Sequence, residues 1–283
     1  MSVSATDVKR LRDMTNAPMM ECKGALAEAN GDMTKAVEIL RKKLKDVLGK
    51  KAERETAEGR IGTYLDPEKK VAAIIEVRCE SAPVAKGADF AKLADDLARQ
   101  AALQNAASVE QLLAQPFVGD PKETVQGHIQ NLVGVIREKM TVARFTRLTG
   151  LVGSYVHHDG TVGVLFQVEG AKADPQMLRD VAVHVTAMNP VAARREDVPA
   201  DVIAKEKEIA LAQIAADPKN KNKPPQIMEK IVEGKMKTWF AESVLVDQIF
   251  VKDEAKTKTV GELLKSAGLT PVKFVRYKVG ELT

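Results

Sequence analysis

Cysteine and histidine side chains carry much of the covalent and metal chemistry of proteins, and this sequence has few of either. Its two cysteines, Cys22 and Cys79, are too few and too far apart for a disulfide framework or a thiolate metal site, so we expect both to be reduced. His157-His158-Asp159 offers metal-ligand side chains, but adjacent histidines at a hairpin tip seldom form a site without a third ordered ligand. His184 lies on the inward face of a predicted helix, where we expect a hydrogen-bonded core histidine. The sequence therefore predicts no catalytic residue, no metal and no cofactor.

Composition excludes several further classes of function. The chain has 283 residues, of which 45% are hydrophobic and 29% charged, and this predicts a soluble globular protein of about two domains. A net charge of +4 and an aromatic content of 4% argue against a nucleic-acid partner. Neither GxxxxGK[ST] nor GxGxxG occurs, so no phosphate-binding loop is predicted.

Membrane association and secretion are also not expected. The longest apolar run, Val71 to Ile75, is far shorter than the roughly 20 residues that cross a bilayer. The first residues become charged and helical at once, without the apolar region of a signal peptide. We therefore expect a cytoplasmic protein.

Residues 1–48 have the pattern of a compact three-helix module. The segment from Ser4 to Asp7 has the form of a capping box before a first helix. Pro18 suits the first turn of a second helix, from Met19 to Ala29. Asn30-Gly31 then predicts a left-handed stop before a third helix.

The second of these helices carries a candidate contact patch. At 100° per residue Met20 points about 200° away from the inward-facing Cys22, and Lys23 follows one turn after Met20. An exposed methionine beside a lysine suits a binding surface. A single exposed apolar residue, however, needs no special explanation.

The middle of the chain contains an internal repeat. A shift of 91 residues aligns residues 61–77 with residues 152–168 without a gap, and Gly62 then matches Gly153. Apolar residues alternate at the same positions in both segments, so each copy is predicted to be a β-hairpin, followed by a helix.

The loop between hairpin and helix differs between the two copies. The helices align at an offset of 88, so the loop of the first copy, Cys79 to Lys86, is three residues longer. Extra length in one copy favours a function there, and drift in a surface connection explains it equally well. Pro83 fixes its own backbone angle and predicts an extended Ala82, with Val84 completing a stiff apolar tip.

The rest of the chain completes an α+β organisation. We expect a polar linker at 49–58, a first core subdomain at 59–144 and a second at 145–283, which contains a helical hairpin inserted at about 198–240. In that hairpin, apolar residues of the two helices are expected to meet, namely Ile203, Ile209 and Ile214 with Ile227, Met228 and Ile231. Strands are predicted at 244–251 and 271–279, on either side of a short helix.

Several segments of the sequence carry the motifs of a known family. They are Leu11-Arg-x-Met-Thr, Met19-Met20-Glu-Cys22-Lys23-x-Ala-Leu-x-Glu-Ala-Asn-Gly31-Asp, Glu76-Val-x-Cys79-Glu, Val84-Ala-Lys86, Gly153-Ser-Tyr155 and Val183-His184-Val with Pro190. The chain resembles bacterial translation elongation factor Ts over essentially its whole length. The resemblance implies an N-terminal ubiquitin-associated-like helical domain, a core of two related subdomains and a helical hairpin inserted in the second. The family usually adds a C-terminal helical module after the last strand, and we expect that contact to be missing or reduced here.

The resemblance also implies a function and a partner. The family is the guanine-nucleotide exchange factor for elongation factor Tu, which it binds in the GDP-bound and nucleotide-free states; it is not an enzyme. Carried over by position, Met19, Met20 and Lys23 become the patch that binds the GTPase domain of elongation factor Tu. His157 matches a contact position in the second hairpin.

One part of the family pattern is altered in this chain. The family's loop reads Thr-Asp-Phe-Val and is expected to disturb the Mg²⁺ of the partner, whereas this chain has Ser81-Ala82-Pro83-Val84. The carboxylate and the aromatic ring are both absent. The leading hypothesis is therefore an exchange factor, and the alternative is a paralogue that binds elongation factor Tu as a holding or complex-forming partner with weak exchange activity.

Overall fold

The computed structural model describes residues 3–15, 17–51, 53–216 and 224–281. Within these ranges it is an α+β protein whose strands pair antiparallel. The helices are α1 (Ala5–Thr15), α2 (Met19–Glu28), α3 (Met33–Lys51), α4 (Ala82–Ala85), α5 (Ala88–Gln104), α6 (Val109–Ala114), α7 (Val125–Ile136), α8 (Pro175–Met188), α9 (Ala200–Ala216), α10 (Pro225–Ser243) and α11 (Val260–Ser266). The strands are β1 (Glu58–Asp66), β2 (Val71–Cys79), β3 (Pro116–Phe117), β4 (Asp120–Thr124), β5 (Thr141–Thr149), β6 (Leu151–Val156), β7 (Val162–Glu169) and β8 (Thr270–Lys278).

Helices α1 to α3 form the N-terminal module. The Ser4 hydroxyl oxygen accepts the amide of Asp7 at 3.1 Å and thereby caps α1, as predicted. The inward faces of the three helices bury a small apolar core that includes Leu11, Cys22 and Leu26. Helix α3 continues to Lys51, so the first residues of the predicted linker are helical.

The two predicted hairpins are confirmed, and their registers are equivalent. Gly62 of β1 lies opposite Ile75, and Gly153 of β6 lies opposite Phe166, which are the same pairs under the 91-residue shift. A Cβ atom on either glycine would collide with helical backbone, of α5 in the first copy and of α8 in the second. Glycine at these positions therefore lets each helix pack directly on its hairpin.

The core is built from four layers. Sheet β1-β2-β5 and sheet β6-β7-β8 face each other, and helices cover the outer face of each. Ile75 of β2 packs in the cluster with α5, whereas Ile74 packs in the cluster with Leu165 of the second sheet. Because β2 is covered on both faces, its sequence is an almost continuous apolar run instead of an alternating one.

A buried carboxylate joins the two sheets. Glu76 of β2 is fully buried, and it accepts hydrogen bonds from Arg78 Nε at 2.7 Å, Arg144 Nε at 2.7 Å and the amide of Gly280 at 3.0 Å. The guanidinium of Arg144 lies 4.1 Å from the centre of the Tyr277 ring. Glu76 therefore ties the end of the chain's last strand to the first sheet.

The predicted strand at 244–251 is wrong. Val244 makes a single isolated bridge to Ala192, and residues Leu245–Asp247 form a short 3-10 turn. Val244 and Leu245 are both fully buried, which the alternating faces of a half-buried strand do not allow. The strand predicted at 271–279 is present as β8.

The helical hairpin is present as α9 and α10, but its predicted contacts are partly wrong. Ile209 and Ile227 are exposed, whereas Ala210, Ile214 and Met236 are buried. Ala210 and Ile214 are one turn apart, so the inward stripe of α9 includes the predicted Ile214 and contains Ala210 in place of Ile209. The predicted polar tip at 217–223 lies outside the described residues.

The predicted junction between residues 144 and 145 falls inside β5. Residues from Thr141 to Thr149 pair with β2, so a division at Gly150 keeps the first sheet whole.

Candidate functional site

The predicted contact patch lies on the exposed face of α2. Met19 is 51% exposed and Met20 is 74% exposed, and Lys23 is also exposed. Cys22 and Leu26 point into the module, so the helix separates a buried stripe from an apolar surface next to a cation. The outward direction predicted for Met20 is confirmed.

The loop predicted to carry the partner's Mg²⁺ contact contains one turn of helix, α4. The expected extended conformation of Ala82 is wrong, because Ala82 is the first residue of this turn and Ser81 is the extended one, with φ −130° and ψ 149°. Pro83 fits here because the first amide groups of a helix have no intrahelical acceptor, so its missing N–H removes no hydrogen bond.

Only part of the predicted apolar tip faces outward. Pro83 is exposed, whereas Val84 is half-buried and packs against the core cluster of the first sheet. The exposed end of α4 therefore presents Pro83 and the half-buried Ala82, without a charged or aromatic side chain at positions 82 and 83.

Charged residues from distant parts of the chain bind Glu80 and Ser81, the two residues just before α4. Glu138 accepts the amide of Ser81 at 3.0 Å and its hydroxyl at 2.5 Å. Glu80 accepts the amide of Lys139 at 2.6 Å and Arg54 Nη1 at 2.9 Å, and it lies 3.7 Å from Lys51 Nζ. Desolvation alone raises the pKa of Glu80, but these donors outweigh it and hold the pKa below its ordinary value.

Cys79 precedes this turn and is chemically inert. Its thiol donates to the carbonyl of Ser81 at 3.4 Å, and burial raises the pKa of Cys79 to about 11. A thiol with that pKa stays protonated near neutral pH and is not a nucleophile.

His157 lies in the turn between β6 and β7. Its amide donates to the carbonyl of Val162 at 2.8 Å, and its ring nitrogen Nδ1 lies 3.4 Å from the Tyr155 hydroxyl. Nearby, the carbonyl of Gly160 accepts the amide of Ile61 at 2.8 Å. Ile61 is three residues from the end of β1 that meets Cys79, so the His157 turn and α4 lie towards the same end of the first sheet.

The described part of the chain holds no group of three or more His, Cys, Asp or Glu side chains arranged to bind a metal ion. His184 is the predicted core histidine: Nε2 lies 2.9 Å from Gln248 Oε1, and Nδ1 accepts the amide of Val251 at 3.1 Å. These partners place the proton on Nε2, and burial lowers the pKa of His184. No helix among the described residues is long and apolar enough to cross a membrane.

Sequence reasoning missed the residues that link α4 to the rest of the molecule. Glu138 is 57 positions from Ser81, and Lys139 is 59 positions from Glu80. The only signal in the sequence was a run of three charged residues, Arg137-Glu138-Lys139, directly after an apolar helix.

Comparisons with known proteins agree with the motifs. A family model described as elongation factor TS matches residues 83–281. The chain is 44% identical to elongation factor Ts of Methylococcus capsulatus over 285 residues, covering 99% of this chain and 93% of that protein. It is 43% identical to elongation factor Ts of an Azoarcus species and 38% identical to that of Clostridium kluyveri, each over 99% of this chain and 91% and 93% of the relative.

The family model and these relatives define a class of protein, the elongation factors of protein biosynthesis. The family model begins at residue 83, but the relatives also cover the N-terminal module. The chain belongs to the elongation factor Ts family.

Proposed function

We propose that this chain is a guanine-nucleotide exchange factor for elongation factor Tu. It binds elongation factor Tu carrying GDP, promotes release of GDP, stabilises the nucleotide-free protein and dissociates when GTP binds. The observation that supports this most strongly is membership of the elongation factor Ts family over both the core and the N-terminal module. The exposed patch of Met19, Met20 and Lys23 supplies the first contact.

The mechanism is a coupling between two binding events. The factor by which this chain lowers the partner's affinity for nucleotide equals the factor by which bound nucleotide lowers the partner's affinity for this chain. A change of about 10⁴-fold requires roughly 5.5 kcal/mol of differential binding, which calls for several separate contacts. In the proposal these contacts are α4, the His157 turn and the exposed patch of Met19, Met20 and Lys23, which we call the α2 patch. No covalent bond changes, so the chain acts by binding and not as an enzyme.

The same proposal assigns a role to each part of the chain. Residues 1–48 are a ubiquitin-associated-like domain that binds the GTPase partner, and 49–58 connect it to the core. The two related subdomains are residues 59–144 and 145–283. Because β5 pairs with β2, a boundary at Gly150 would keep the first sheet whole. The hairpin at about 198–240 is an insertion in the second subdomain.

A second candidate function is a paralogue that holds elongation factor Tu with weak exchange activity. The observation that favours it is the exposed end of α4, where Ala82 and Pro83 offer neither a carboxylate nor an aromatic ring. Such a surface binds without pushing on the coordination of Mg²⁺.

Release of a fluorescent GDP analogue from elongation factor Tu distinguishes these functions. The assay is run with and without the full chain, alongside direct titration of binding. Faster release that saturates with the added chain supports exchange. Binding without acceleration supports the holding function, and absence of binding contradicts both.

A further inference from the structure

The N-terminal module is joined to the core by a narrow set of contacts. A groove of about 1020 Å³ separates much of the module from the core. Beside it, α3 approaches α7 closely where Leu44 lies against Gly134, since a Cβ on that glycine would be 3.1 Å from Leu44 Cδ1. Leu48 of α3 also packs against the core cluster of the first sheet, so the orientation of the module depends on these α3 contacts and on the polar side chains beside the groove.

Arg137 is the centre of these contacts. Its guanidinium pairs with Glu21 of α2, and its carbonyl accepts Lys51 Nζ from the last turn of α3. Arg137 also ends α7 in the left-handed conformation, with φ 66°, which is unfavourable for a side chain with a Cβ. That conformation ends α7, and the two residues that follow lie against Ser81 and Glu80.

The two residues that follow hold the entrance of α4. Glu138 binds the amide and hydroxyl of Ser81, and the amide of Lys139 binds Glu80. Lys51 Nζ also lies 3.7 Å from the carboxylate of Glu80, so the same cation contacts both Glu80 and the carbonyl of Arg137. Arg137, Glu138 and Lys139, which we call the junction segment, therefore contact α2 on one side and the residues before α4 on the other.

We propose that the junction segment positions the α2 patch relative to α4, so that both surfaces engage one partner molecule at the same time. Glu21 lies between Met20 and Lys23 on α2, so its ion pair with Arg137 fixes the orientation of the patch relative to the core. This inference rests on the proposed function, in which both surfaces bind the same GTPase. Arg137 and Glu138 are positioning residues in it and do not touch the partner.

The expected effect follows from the geometry. A half-exposed ion pair such as that of Arg137 and Glu21 adds little to folding stability. The ion pair has a larger effect on binding if it selects one orientation of the module. The apparent dissociation constant is inversely proportional to the fraction of molecules in the binding-competent orientation. We expect either single charge reversal, Glu21→Arg or Arg137→Glu, to weaken binding of elongation factor Tu about three- to tenfold.

The test is a charge swap. The paired variant Glu21→Arg with Arg137→Glu should restore binding to near the parent value. If Glu21 instead contacts the partner directly, the swap leaves binding as weak as in the single variant, and the inference is overturned. Glu28→Arg is the matched control, because Glu28 lies on the same helix and its salt bridge, to Lys43 at 3.1 Å, stays within the module.

Orientation is measured independently of nucleotide exchange. Spin labels at Lys35→Cys in the module and Glu110→Cys on α6 report the distance between module and core, since the native cysteines are buried. We expect a narrow distance distribution in the parent and the swapped variant, and a broader one in each single reversal. Equal distributions in all four proteins contradict the inference. If the parent does not accelerate GDP release, the proposed function fails, and the distances alone decide whether the junction orients the module.

Glu138→Gln separates positioning of α4 from binding by the patch. The amide keeps one acceptor oxygen but cannot receive both donors of Ser81 as a carboxylate does. We expect a two- to fivefold slower release at saturating factor, with an unchanged dissociation constant and an unchanged melting temperature. A parent-like release rate, or a loss confined to the dissociation constant, refutes this role for Glu138.

Discussion

Removal of two of the three exposed side chains of the α2 patch should weaken complex formation without disturbing the fold. The perturbation is Met20→Ala combined with Lys23→Ala. Neither side chain belongs to the buried core of the module, which is formed by residues such as Leu11, Cys22 and Leu26. The melting temperature of the variant should therefore match that of the parent.

The size of the effect follows from exposed area and charge. Full burial of a methionine side chain contributes about 1.5–3 kcal/mol, and Met20 is 74% exposed, so covering it contributes about 1–2 kcal/mol. A rim cation such as Lys23 adds about 0.2–1 kcal/mol. The sum of about 1–3 kcal/mol corresponds to a dissociation constant roughly 5- to 150-fold higher.

The assay is titration of elongation factor Tu with parent and variant, followed by GDP release at saturating factor. The release rate at saturation should change much less than the affinity, because the patch is remote in sequence from α4 and supplies binding. Met14→Ala with Lys35→Ala is a matched control, since Met14 is 60% exposed and Lys35 is 71% exposed in the same module. An unchanged dissociation constant in the patch variant, or an equal loss in the control, refutes the reasoning.

Three further predictions concern other parts of the chain. Replacing residues 201–233 by a short Gly/Ser linker should leave GDP release within a few-fold of the parent, because the described residues of α9 and α10 contact mainly each other; a hundredfold loss in a folded variant would show that the hairpin reaches the partner. Ala82→Asp with Pro83→Phe should speed release at saturating factor, and excess EDTA should speed release more with the parent than with this variant, because the parent leaves Mg²⁺ in place; no effect of either change would mean that α4 already displaces the ion. Burial lowers the pKa of His184, so the unfolded chain binds more protons than the folded one below about pH 6.5. Urea unfolding should accordingly show stability lost between pH 7 and pH 5, with a smaller loss in His184→Gln, and an equal loss in both proteins would contradict this assignment.

The sequence predicted elements in which local pattern and burial agree. The shift that places Gly153 on Gly62 found two hairpins whose registers are equivalent, because each strand must keep one face on a helix. The second helix of the N-terminal module was predictable for the same reason. Its caps and its stripe of Cys22 and Leu26 are encoded within one short segment.

Long-range polar contacts and breaks in alternation were not predictable. Val244 and Leu245 look like strand residues, but the chain turns there and the two side chains are buried in different apolar clusters. Pro83 suggested an extended Ala82 and a stiff apolar tip, and it lies instead in the first turn of a helix, where proline is tolerated. Glu138 and Ser81 are far apart in sequence, and nothing in either local pattern indicates that they meet.

The buried carboxylate of Glu76 also bears on how the chain folds during synthesis. Its bond to the amide of Gly280 joins positions that are 204 residues apart. When the ribosome has synthesised the first sheet, β8 of the second sheet has not yet been made. Glu76 therefore lacks the amide of Gly280 as a hydrogen-bond donor at that stage. Contacts of such long sequence separation slow folding. The N-terminal module has only local contacts in its own core and can therefore fold while the four layers are still being assembled.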